Sequence, residues 1–131
     1  MPNVTIAQET ILLVDDDPMI RVLGKDLLER QGYRVAVAQD GAEALKVFRT
    51  IKGVDVVILD YHLPHQDGCQ VMAQLRGLDP GVRVIMASGF FSSQDVVRLK
   101  EAGALGLINK PYRLAELESR LQKVLAGGTA F

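Results

Sequence analysis

Ile11-Leu12-Leu13-Val14-Asp15-Asp16-Asp17-Pro18 is the stretch that decides the fold. Four apolar residues in succession read as a short strand covered on both faces, as in a parallel sheet. The carboxylates that follow mark the strand's end. Asp17 then suits a helix N-cap and Pro18 a first helical position. The apolar signal returns at Val35-Ala36-Val37-Ala38, at Val56-Val57-Ile58-Leu59, at Val84-Ile85-Met86-Ala87 and from Leu105 to Ile108. Amphipathic stretches separate these runs. The first helix should present Ile20, Leu23 and Leu27 inward and end at Gly32. A second follows Asp40, burying Ala44, Leu45 and Phe48, and stops near Gly53. A third follows Asp67-Gly68 and buries Val71, Met72 and Leu75. The fourth runs from about Ser92 to Ala102, closed by Gly103, and the last carries Leu114, Leu117, Leu121 and Leu125. This alternation predicts an α/β fold, doubly wound, with a parallel sheet and helices on both faces.

Composition narrows the function. The chain's 131 residues suffice for one domain with a full core. A net charge of −1 offers no general attraction to nucleic acid or to anionic membranes. Cys69 is the single cysteine, which excludes an internal disulfide; it reads as a small packing residue in a reducing cytoplasm. No apolar stretch is long enough to span a bilayer, and Met1 to Glu9 is too polar for a signal peptide. Residues 1–9 therefore read as an N-terminal extension and 10–126 as the domain. Residues 127–131 read as a flexible tail, expected to fray.

In a doubly wound sheet, ligands bind beyond the carboxyl ends of the strands. Asp15, Asp16, Asp60, Ser88 and Lys110 all fall at such ends. Three converging carboxylates repel by roughly 4 kcal/mol per close pair at intermediate dielectric, so the cluster calls for a cation. Hard oxygen ligands of this kind suit Mg²⁺. Asp60 could be a metal ligand only, or a nucleophile as well. In-line phosphoryl transfer needs a positioned nucleophile, a divalent cation and positive charge on the developing oxygens, and Lys110 supplies that charge. Pro111 could hold the Lys110–Pro111 peptide cis. Ser88 could hydrogen-bond a phosphoryl oxygen, with Gly89 leaving room beside it. Taken singly, Ser88 is an ordinary strand-end hydroxyl and Lys110 a surface lysine; their spacing as a set favours a common site. His62, His65 and Asp67 share one short loop that cannot surround a transition metal.

Ile11 to Asp17, Val57-Ile58-Leu59-Asp60-Tyr61-His62-Leu63-Pro64, Ser88-Gly89 and Asn109-Lys110-Pro111 together resemble a response-regulator receiver domain, over about Thr10 to Leu125. The resemblance implies a flavodoxin-like (βα)5 fold with strand order 2-1-3-4-5. It implies that Asp60 accepts phosphate from the phosphohistidine of a histidine kinase or histidine phosphotransfer domain. Mg²⁺ would be held by Asp16, Asp60 and the His62 backbone carbonyl, with Asp15 acting through water. Ser88 and Lys110 would contact the phosphoryl group. Output would pass by protein contact, through the face formed by helix 4, strand 5 and helix 5, to a partner protein or a second copy. Such a domain is a signalling phosphoacceptor and no enzyme beyond its own phosphorylation and dephosphorylation.

Two features depart from the family pattern. Most receivers carry an aromatic residue three positions before the lysine, where this chain has Leu107. A switch signal would then travel through Ser88 and the Phe90-Phe91 segment. His62 and Phe90 occupy the two places that tune acyl-phosphate lifetime in the family, and an apolar Phe90 would shield the phosphoryl group.

Other functions fit less well. An Mg²⁺-dependent aspartyl phosphohydrolase usually has a second acid two residues after the nucleophile, where this chain has His62. A flavodoxin-like cofactor binder needs a donor-rich loop after the first strand, where three aspartates stand. A receiver-shaped interaction module that is never phosphorylated stays open because of Leu107. The stretches Gln8 to Asp15 and Val22-Leu23-Gly24 resemble receivers at the C-terminus of hybrid sensor histidine kinases.

Overall fold

The computed structural model describes residues 8–131; of the expected N-terminal extension, residues 1–7 lie outside them. In chain order the elements are β1 (Thr10–Val14), α1 (Pro18–Arg30), β2 (Arg34–Ala38), α2 (Gly41–Thr50), β3 (Val54–Asp60), β4 (His62–Leu63), β5 (Gln66–Asp67), α3 (Gly68–Leu78), β6 (Val84–Ser88), α4 (Ser93–Ala102), β7 (Gly106–Asn109) and α5 (Leu114–Leu125). Five strands form one parallel sheet in the order β2-β1-β3-β6-β7, which is the expected 2-1-3-4-5 arrangement. β4 and β5 form a separate antiparallel hairpin that the apolar pattern did not announce. His65 turns it, with φ of 66°.

Each sheet face has its own core, because successive strand residues point to opposite sides. Leu12, Val14, Val57, Leu59 and Met86 pack with Ala44 of α2, Met72 and Leu75 of α3, and Leu99 of α4. Ile11, Leu13, Ile58, Ile85 and Ile108 pack with Leu28 of α1 and with Leu117, Leu121 and Val124 of α5. Fully burying one such side chain stabilises by about 1.5–3 kcal/mol, so these two layers hold the strand ends in fixed register.

Helix starts follow the local chemistry. The Asp17 side chain accepts from the Met19 N–H with Pro18 at the first position, and Asp40 accepts from the Glu43 N–H. Asp67 with Gln70, and Ser92 with Asp95, close reciprocal capping boxes. Gly103, at φ 97°, ends α4 in the left-handed conformation.

Two expectations need correction. In α1 the buried line runs through Gly24 and Leu28, and Leu23 is 39% exposed. The helix lies so close to the sheet that a Cβ on Gly24 would stand 2.6 Å from Leu13 Cδ2, which turns the inward face one residue past Leu23. In α5, Val124 is buried while Leu114 is largely exposed. Residues 127–131, read as a flexible tail, take an ordered path. Gly127 and Gly128 donate to the carbonyls of Val124 and Lys123, and Ala130 then forms a parallel bridge with Gly106.

Candidate functional site

Strand register brings the acid cluster together. Val14 pairs with Leu59, Asp60 with Ala87 and Ser88 with Asn109, so four strands end almost level. Backbone bonds continue past the strands: Asp15 N–H to Ala38 carbonyl (3.0 Å), Tyr61 N–H to Ala87 carbonyl (2.9 Å) and Lys110 N–H to Ser88 carbonyl (2.8 Å). The five residues singled out in the sequence therefore line one end of the sheet. The Lys110–Pro111 peptide is cis.

Asp15, Asp16 and Asp60 each offer a carboxylate oxygen within 4.8 Å of the others. Asp15, Asp60 and Ser88 are buried, whereas Asp16 is exposed. Lys110 Nζ lies 2.9 Å from Asp15 Oδ2 and 3.2 Å from Asp60 Oδ2, spanning the two buried acids. The other oxygens of this pair are tied locally: Asp15 Oδ1 accepts from the Asp17 N–H (2.9 Å) and Asp60 Oδ1 from the His62 N–H (3.0 Å). Asp16 makes no side-chain hydrogen bond among the described residues, which leaves its oxygens free toward a cation. One lysine facing three carboxylates leaves a net negative pocket of hard oxygen donors, and that donor set fits Mg²⁺.

Electrostatics follow from burial. Burial pushes the Asp60 carboxyl above the usual carboxylate range; the His62 N–H opposes this and the Asp15 charge adds to it. Burial works against the Lys110 ammonium, yet its contacts with Asp15 and Asp60 outweigh that and hold its pKa above the ordinary lysine value. Gly68 is what lets α3 begin beside the end of β3 at Asp60. A Cβ there would stand 3.0 Å from both the Asp60 carbonyl oxygen and Tyr61 Cα.

The expected switch residues separate. Ser88 Oγ donates to the Phe90 carbonyl (3.0 Å) and accepts from the Phe90 N–H (3.3 Å), so its hydroxyl is engaged with its own loop. Phe90 is 74% exposed, Phe91 packs against the α2–α4 core, and Leu107 is buried within that core. His65 and His62 sit on the hairpin rim; Cys69, in the first turn of α3, is half-buried against the same core.

A polar network around Tyr61 was not foreseen from the sequence. Buried Tyr61 stacks against Phe91, with ring centroids 6.0 Å apart. Its hydroxyl accepts from Arg98 Nη1 (2.8 Å) and donates to Asp95 Oδ1 (3.3 Å). Arg98 also bridges to Asp67 (3.1 Å), the cap of α3. The only linear hint was a tyrosine next to Asp60; Arg98 lies 37 residues further on. Arg21 is a second addition, its guanidinium donating to the Asp15 carbonyl at 2.7 Å.

The sequence profile of the response regulator receiver domain matches residues 11–122. The chain belongs to this family. It is 32% identical over 117 residues to sporulation initiation phosphotransferase F of Bacillus subtilis, covering 89% of this chain and 94% of that protein. It is 38% identical over 127 residues to the transcriptional regulatory protein PrrA of Mycobacterium bovis, covering 95% of this receiver and 54% of PrrA. The receiver spans only about half the length of several regulators it matches. Among solved structures it resembles a chain of the CheX–CheY–BeF3–Mg²⁺ complex of Borrelia burgdorferi, with a TM-score of 0.83, 28% identity and 88% of each chain covered. The family consists of phosphoacceptor signalling domains that interact with histidine kinases and phosphotransfer proteins. Among the described residues of this receiver, no helix is long and apolar enough to cross a membrane.

Proposed function

We propose that Asp60 accepts a phosphoryl group from the phosphohistidine of a histidine kinase or histidine phosphotransfer domain in the cytoplasm. One observation carries the reading: Lys110 Nζ is shared between Asp15 and Asp60 at the mouth of a three-carboxylate cluster. In the transfer, an Asp60 carboxylate oxygen forms the new O–P bond as the donor's N–P bond breaks. The electron pair of that bond returns to the donor imidazole, and Asp60 becomes an acyl phosphate. Asp15, Asp16 and Asp60, with the His62 backbone carbonyl, would hold Mg²⁺. When bound, the ion supplies positive charge to the transferring phosphoryl oxygens. Lys110 holds positive charge beside the same oxygens. Ser88 Oγ hydrogen-bonds one of them, which requires it to give up the Phe90 carbonyl.

That exchange is the first step of the switch. Releasing Phe90 frees the Phe90-Phe91 segment, and Phe91 is stacked on Tyr61, whose hydroxyl is bonded to α4. Tyr61 and Phe91 thus carry the signal on the side where Leu107 provides no ring. Output goes by contact with a partner protein or a second copy at the α4–β7–α5 face, without direct contact to nucleic acid or membrane.

Mass spectrometry after incubation with acetyl phosphate and Mg²⁺ tests the reading, beside an Asp60→Asn variant. A labile phosphate that needs both Mg²⁺ and Asp60 is expected. No phosphate on the folded protein would support a phosphorylation-independent interaction module instead.

A further inference from the structure

The Gly127–Phe131 tail follows a defined path. It leaves α5 through Gly127, at φ 93°, and reverses to run parallel with β7 along the sheet's outer edge. Ala130 N–H donates to the Leu105 carbonyl (2.8 Å), and the Ala130 carbonyl accepts from the Leu107 N–H (3.1 Å). Arg120 Nη1 of α5 donates to the same carbonyl at 2.6 Å. On the other flank, Lys100 Nζ of α4 stands 4.9 Å from the centre of the Phe131 ring. Ala130 itself is buried.

Gly106 is shaped for this strand. A Cβ there would meet the Ala130 oxygen at 2.9 Å and the Ala130 Cβ at 3.2 Å, and its nearest neighbours all belong to Ala130. An edge strand presents a row of unpaired backbone groups, and an added strand satisfies them. The side-chain elements around that row are specific: a missing Cβ opposite a small residue, a guanidinium on the carbonyl, and an ammonium over an aromatic ring. A cation over an aromatic face is worth about 0.5–1 kcal/mol at an exposed site.

We propose that the outer edge of β7, between Arg120 and Lys100, is a strand-addition site for an extended peptide carrying a small residue followed by an aromatic, and that the chain's own Gly127–Phe131 segment fills it. Partner strands of that chemistry reach the edge only by displacing this segment. The inference extends the reading of the α4–β7–α5 face as the output surface, but occupancy of the edge does not involve Asp60. An intramolecular strand on a short tether has an effective concentration in about the millimolar range, so it blocks weaker competitors.

Amide hydrogen exchange and NMR without any phosphodonor test it, so failure here leaves the phosphoacceptor reading untouched. Three proteins are compared: the intact chain, a chain ending at Ala126, and Gly106→Ala, whose methyl group displaces Ala130. The Leu107 amide should exchange about tenfold faster in both variants, as expected for the loss of one hydrogen bond's net worth. Amides of β6 should be unchanged. An acetylated Gly-Gly-Thr-Ala-Phe peptide at millimolar concentration should shift the Leu105–Leu107 resonances of the shortened chain more strongly than those of the intact chain. Equal Leu107 exchange in all three proteins would overturn the proposal. So would a peptide that shifts the intact chain as strongly as the shortened one, or one that shifts neither.

Discussion

Two tyrosines flank the site from opposite faces of the sheet, and they are used differently. Tyr61 follows Asp60 and enters the core under α2, α3 and α4; Tyr112 follows Lys110 by two residues and enters the core under α1 and α5. Both are buried to the same extent. Tyr61 spends its hydroxyl on Arg98 and Asp95 of α4. Tyr112 has a buried hydroxyl with no hydrogen-bond partner among the described residues, and burial drives its pKa far above the ordinary phenol value. Tyr61 is joined to its helix layer by directional polar contacts, and Tyr112 to its own by packing alone. Through these two rings a change at Asp60 therefore has a specific handle on α4 and only a steric one on α5, while α1 is tied to Asp15 by Arg21.

Removing the lysine that stands between the two faces should have the largest effect. Lys110→Ala takes away the only cation among the described residues that contacts both Asp15 and Asp60, and phosphorylation by a small phosphodonor should slow by about 10²–10³-fold, the usual cost of one lost transition-state donor. Rates near wild type would mean that Lys110 only neutralises the pocket. Next comes Gly24→Ala, which overpacks the Tyr112 side. Its methyl would lie 2.6 Å from Leu13 Cδ2 and 3.2 Å from the Tyr112 ring, and a loss of about 1–3 kcal/mol is expected in urea unfolding.

The tyrosines themselves sharpen the contrast. Tyr61→Phe should cost about 1 kcal/mol, the net worth of its hydroxyl contacts, whereas Tyr112→Phe should cost nothing and can stabilise, because it removes an unpaired buried group. Equal losses at both positions would erase the distinction drawn here. Smallest is Arg98→Met. Its bridge to Asp67 is largely exposed, so the stability change should stay below about 1 kcal/mol, while the response of α4 to phosphorylation should be lost.

Much of this was legible in the sequence because short-range chemistry and long-range order agree. The apolar runs ending at Asp15, Asp60 and Ser88 are strands covered on both sides, and topology alone then places their ends together. Asp17 announced its helix as a cap, and Asp40 and Asp67, expected to precede helices, prove to be caps as well. What escaped depends on distances that periodicity does not encode. Leu23 fits the apolar stripe of α1, yet the close approach at Gly24 rotates that stripe away from the core. The tail is rich in glycine, and its attachment combines backbone bonds to Leu105 and Leu107 with contacts from Arg120 and Lys100 that no pattern of residue types reveals. Tyr61 and Arg98 meet only because the β3–α3 junction and the start of α4 lie on the same end of the sheet.

The most direct test compares amide NMR spectra of the chain with and without acetyl phosphate in Mg²⁺. A signal routed through Tyr61 predicts large shifts at Asp60, at Ser88 to Phe91 and through α4, with much smaller shifts around Tyr112 and the middle of α1. Spectra that agree from residue 88 to residue 100 on a phosphorylated chain, or shifts spread equally over both faces, would contradict it.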